Sequence, residues 1–254
     1  MASTQTRWKL RLIVFDFDQT LTTCHVFKAL AGWGAQASGL RVPLPHATSE
    51  EGQLTRIFEL DHGGVFKPQG GFAVAAFGGQ ARAEEVRKQL LSLQEQNVEL
   101  IICTKGLIGA VKKCLTDVKL LPCFSEIYGN VSDSYGRTQY DRSLLEHWDH
   151  KDAASFSEFL GTPTQAGWGS KDKLIEKLMQ NRGLRKEQCA FVEDDHEEIV
   201  RAEPICQTLY VKEAAGMRPE HWAKLQEMAA GYVVKKQVQK AVPARSAMSG
   251  CVVL

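Results

Sequence analysis

The segment RLIVFDFDQTLTT, residues 11–23, puts Asp16 and Asp18 two positions apart at the end of an apolar run. In an extended chain alternate side chains project the same way, so the two carboxyls share one side and Phe15 and Phe17 take the other. Like charges that close favour protonating one acid unless a cation is present. Either outcome is chemically useful. A metal-held carboxylate can act as a nucleophile, and a carboxyl that keeps its proton can serve as general acid and then general base.

Three further segments could complete such chemistry. ELIICTKG (99–106) runs an apolar stretch into the hydroxyl of Thr104, and CAFVEDDHEEI (189–199) runs another into Glu193, Asp194 and Asp195. Between them GSKDKL (169–174) opens a helical segment with Lys171 and Lys173 near its start. Each feature alone has a plain structural explanation as a loop acid, a helix cap or a solvated lysine. Together they deliver an acid pair, a hydroxyl, a lysine and an acidic cluster to one rim. His25 and His196 lie close by, but a single histidine is more often structural, and neither is assigned a role.

The elements that must position these groups can be read from periodicity. LIVF (12–15), ELIIC (99–103), FSEIY (124–128), CAFV (189–192) and QTLYV (207–211) are strand candidates by length and by their Val, Ile, Phe and Tyr content. Residues 81–96 set Val86, Leu90 and Leu93 on one helical face, 107–115 repeat that spacing, and a third helix follows Ser170, a natural N-cap. Strands alternating with helices predict a doubly wound parallel α/β sheet, whose ligands gather at the carboxyl ends of the strands. Two stretches break the rhythm: 34–79, with Gly-Gly pairs at 63–64, 70–71 and 78–79, and 130–169, polar and aromatic. Each exceeds an ordinary connection and is expected to be a functional insertion or lid. The expected organisation is a core over 1–230 carrying both insertions, then a basic tail over 231–254.

In order and in spacing these motifs resemble the haloacid dehalogenase-like superfamily, specifically its phosphatases. Asp16, Phe17, Asp18, Gln19 and Thr20 match its D-x-D-x-T after a strand. Thr104 matches the strand-end Thr or Ser, Lys171 (with Lys173 second) the lysine before a helix, and Asp194 with Asp195 or Glu198 the final acids. The resemblance runs from Leu10 to about Met217. Gln19 departs from it, because the family often has Gly there; both insertions are short, which implies a minimal cap and an open site.

The resemblance implies a Rossmann-like core and a phosphomonoester hydrolase in which Asp16 is the nucleophile and Asp18 the proton carrier. It implies Thr104 and Lys171 as holders of the phosphate oxygens. It also implies Mg²⁺ on Asp16, Asp194 and the backbone carbonyl of Asp18, with Asp195 or Glu198 ordering the metal's waters. The implied partner is a phosphorylated small molecule or phosphoprotein. Dehalogenases of this superfamily lack a counterpart of Asp18, and receiver-type switches carry their paired acids in a different order. A non-catalytic, lipid-anchored binding protein on the same scaffold is the alternative reading.

Composition agrees with an ordinary globular chain of 254 residues, 44% hydrophobic and 24% charged. That is long enough to bury roughly 70–75% of its unfolded surface. A net charge of +1 supplies no broad basic field and argues against nucleic acid as a partner. Seven scattered cysteines without a C-x-x-C pair read as reduced thiols in a cytoplasmic protein. The final Cys251-Val252-Val253-Leu254 fits a C-a-a-X prenylation pattern behind Lys235, Lys236, Lys240 and Arg245, so peripheral membrane attachment through Cys251 is expected.

Overall fold

The computed structural model describes residues 7–130, 170–213 and 215–233. The expected second insertion, apart from Asn130 at its edge, and the expected tail beyond Val233, with its lysines and Cys251, lie outside them; residues 231–233, assigned to the tail, are described and end in a strand. The described chain runs β1 (Arg7–Trp8), β2 (Leu12–Phe15), α1 (Val26–Ala31), α2 (Ala35–Ser38), α3 (Glu50–His62), α4 (Phe72–Ala76) and α5 (Gln80–Glu95). It continues through β3 (Glu99–Leu107), α6 (Ile108–Asp117), β4 (Glu126–Asn130), α7 (Lys171–Asn181), β5 (Cys189–Glu193), α8 (His196–Ala202), β6 (Gln207–Tyr210), α9 (Pro219–Ala230) and β7 (Tyr232–Val233).

Five strands form one all-parallel sheet in the order β4-β3-β2-β5-β6. The first of them, β2, is central, the next two build toward one edge, and the last two toward the other. This is the doubly wound α/β class read from the sequence. The winding reverses beside β2, and the crevice at that switch point is where such sheets hold ligands. Leu12 to Phe15 are all buried because β2 is covered on both faces, which is why LIVF reads as a continuous apolar run. β1 and β7 pair antiparallel as a separate two-stranded sheet.

The strand candidates fall where expected, with shifts at the ends. β3 continues past Cys103 to Leu107, and its pairing with β4 changes register between those two residues. The first insertion contains α2, α3 and α4 and packs against the core. Glu50, fully buried at the start of α3, accepts the Gly109 N–H at the start of α6 at 2.7 Å, and Asp61 accepts the Phe72 N–H at 2.7 Å. Its last residues reach the core, where Phe77 meets Phe17 edge-on at 6.0 Å.

Candidate active site

The carboxyl ends of β2, β3 and β5 supply the site. Beyond Phe15 the chain keeps one more rung on β5, with the Asp16 N–H donating to the Val192 carbonyl at 2.9 Å. It then turns. Gln19 takes a left-handed φ of 58°, a conformation that costs a residue with a side chain more than it would cost glycine. The turn is tied from within: the Gln19 N–H donates to the Thr22 hydroxyl at 3.1 Å, and that hydroxyl lies 2.7 Å from the Cys24 carbonyl. Phe15 and Phe17 are fully buried while the two acids line the rim, as alternation predicts.

Asp16 belongs to an ionic cluster. Its Oδ1 accepts from Lys171 Nζ at 2.6 Å, and the same ammonium donates to Glu193 Oε2 at 2.6 Å. Lys171, only 2% exposed, is the first residue of α7, following Ser170 in N-cap geometry. Burial works against its charge, but Asp16 and Glu193 outweigh that and hold the ammonium well above its usual range. Glu193 Oε1 accepts the N–H groups of Asp194 and Asp195 at 3.0 and 3.1 Å, which bends the chain out of β5. Asp194 receives the Thr20 hydroxyl at 3.4 Å.

Among the described residues, ligand atoms of Asp16, Glu193 and Asp194 all lie within 4.8 Å of one another. Three carboxylates face one lysine, so negative charge is in excess. Burial first, then Glu193, pushes the Asp16 carboxyl well above its ordinary value, and the same two causes push Asp194 up to about 7. An all-oxygen, over-negative cluster of this kind suits Mg²⁺, which takes hard oxygen donors and offsets their repulsion.

Asp18 is held differently. Its Oδ1 accepts the Val26 N–H at 2.7 Å and its Oδ2 lies 3.1 Å from His25 Nδ1. Thr104 is fully buried at the register break of β3, its hydroxyl accepting the Gly106 N–H at 3.0 Å. Asp16, Asp18, Thr104, Lys171 and Asp194 are thus brought to one crevice.

Asp195 stands apart, capping α8 by accepting the Glu197 N–H at 2.9 Å. Glu198 is buried and paired with Lys105 at 2.8 Å and Arg201 at 3.2 Å. Lys173 is exposed, and His196 packs edge-on against Tyr210 at 5.5 Å. Two residues of the site were not singled out by spacing. Glu193 is one: the sequence reads it as part of the strand-end acidic cluster without a role, and the pairing of Phe15 with Val192 sets it beside Asp16. His25 is the other, noted for its nearness to the acid pair but given no role, because a single histidine carries no pattern that assigns one.

The fold and site together define a Rossmann-like α/β protein with an acidic centre at its switch point. No family model matches the sequence, and no curated protein matches it. Solved structures do. A haloacid dehalogenase-like family hydrolase from Streptococcus pneumoniae is 16% identical with a TM-score of 0.38, over 85% of this chain and 91% of that one. A predicted phosphoglycolate phosphatase from Haemophilus somnus is 16% identical with a TM-score of 0.42, over 82% and 87%. The HAD domain of an effector protein from Legionella pneumophila is 10% identical with a TM-score of 0.45, over 85% and 90%.

Proposed function

We propose that this chain is a Mg²⁺-dependent phosphatase of the haloacid dehalogenase-like superfamily, hydrolysing a phosphomonoester through an aspartyl-phosphate on Asp16. The observation that supports it most is the meeting of Asp16, Asp18, Thr104, Lys171 and Asp194 at the switch point, four sequence motifs converging on one crevice. Asp16, Glu193 and Asp194, with the Asp18 backbone carbonyl, would hold Mg²⁺, which when bound neutralises phosphoryl charge.

The chain's own groups do the rest. A carboxylate oxygen of Asp16 attacks phosphorus, oriented by Lys171, whose ammonium also offsets the charge on the phosphoryl oxygens. The Thr104 hydroxyl donates to one of those oxygens. As the ester P–O bond breaks, Asp18 gives its proton to the leaving oxygen. Asp18, now a carboxylate, takes a proton from water, and the hydroxide formed attacks the phosphoryl group and releases Asp16.

The test is phosphate release by purified protein in Mg²⁺ or EDTA, beside Asp16→Asn. EDTA and the substitution are each expected to lower turnover by about 10³-fold or more. Turnover surviving both would overturn the mechanism.

A further inference from the structure

We infer that His25 is a positioning residue for the proton transfer by Asp18, an inference that rests on the phosphatase reading above. The two oxygens of Asp18 are not equivalent. Oδ1 is committed to the fold: it accepts the Val26 N–H at 2.7 Å and so caps α1, where the His25 side chain makes no capping bond of its own. Oδ2 is the working oxygen. A Cβ placed on Gly106 would stand 3.5 Å from Oδ2 and 3.3 Å from the Thr104 hydroxyl, so Oδ2 faces the phosphate-holding end of β3.

The His25 ring lies against that oxygen. Nδ1 is shielded from solvent and makes no well-aligned hydrogen bond, and the acceptor it faces is Asp18 Oδ2 at 3.1 Å. The backbone holds it there, since the His25 N–H donates to the Ser38 carbonyl at 2.6 Å and its carbonyl accepts from Ala29 at 2.9 Å. Catalytic hydrogen bonds of this kind are often loose without substrate and tighten in the transition state. As the proton passes from Oδ2 to the ester oxygen and the P–O bond opens, charge grows on Asp18. An Nδ1–H facing Oδ2 holds the carboxyl plane and strengthens its bond as that charge develops. The histidine gains and loses no proton in the step.

A leaving group that needs a proton should feel the loss of this contact more than one that does not. The experiment compares turnover of glycerol 2-phosphate, which leaves as an alkoxide unless protonated, with p-nitrophenyl phosphate, which leaves as a stable phenolate. It uses wild type, His25→Ala and His25→Asn in Mg²⁺, with circular dichroism to verify folding. His25→Ala is expected to lose roughly tenfold more kcat/KM, which reports the step that expels the leaving group, on the alkyl ester than on the aryl ester, and His25→Asn, whose amide can still donate, to recover most of the difference. If the alanine variant does not fold, His25→Leu fills the site without a donor and answers in its place. Equal losses on both esters, or no recovery with asparagine, would overturn the role of His25 and leave the phosphatase reading standing. A wild type inactive on both esters would sink the two together.

Discussion

Asp16 and Asp18 are two residues apart, yet they inhabit different chemistry. Asp16 faces β5 and lives among charges, sharing one lysine with Glu193 and lying against Asp194. Asp18 faces α1 and lives among hydrogen-bond donors, an amide on one oxygen and an imidazole beside the other. On the proposed reading, the cluster with surplus negative charge takes a cation and a phosphoryl group, and the carboxyl beside an amide and an imidazole moves a proton. The difference teaches that adjacent acids divide their roles by what packs on either side of the strand end, not by their own identity.

The comparison can be broken most forcefully at Lys171. Lys171→Met leaves the buried Asp16 and Glu193 carboxylates without their shared cation, and about 3–5 kcal/mol of stability should be lost in EDTA, with much of it restored by Mg²⁺ in the same thermal melt. On the other side, Asp18→Asn keeps an oxygen to accept the Val26 N–H. Its fold should therefore hold by circular dichroism while alkyl phosphate turnover falls about 10²-fold or more.

A subtler contrast is pH. Asp194 rises from an ordinary 3.8 to about 7 in the fold, so the folded state binds its proton more tightly than the unfolded chain. That contribution is complete below about pH 4 and is lost as pH climbs through about 7. The metal-free melting temperature should fall across this window. Asp194→Asn should flatten the fall and add about 1–2 kcal/mol at pH 8, the smaller value reflecting partial exposure. Smallest of all, Gln19→Gly relieves a left-handed backbone and should change stability by no more than about 1 kcal/mol in urea melts, leaving turnover unaltered.

Much of this was legible in the sequence because it rests on period. β2, β3 and β5 lie in the interior of the sheet, so their apolar runs are uninterrupted, and the residues ending them fall on the rim by geometry alone. The first insertion hid its helices for a physical reason. α3 buries Glu50, Gln53 and Arg56 beside Leu54, Ile57 and Leu60, so half of its inner face is polar and the helical stripe disappears into the composition. The resemblance puts Lys171 ahead of Lys173, and period alone cannot separate lysines two residues apart; in the fold Lys171 is the buried one and Lys173 is exposed. The contact of His25 with Asp18 joins residues seven apart across an irregular turn, and no periodicity describes such a turn.

The bond from Glu50 to Gly109 has a use of its own. It ties the described insertion to an amide that opens α6, a few residues beyond Thr104, and both groups are buried. That amide can exchange its hydrogen for deuterium only when the carboxylate lets go. The exchange rate at one glycine is therefore a clock for how often the insertion lifts from the core, readable in the native protein without a label, a ligand or a mutation.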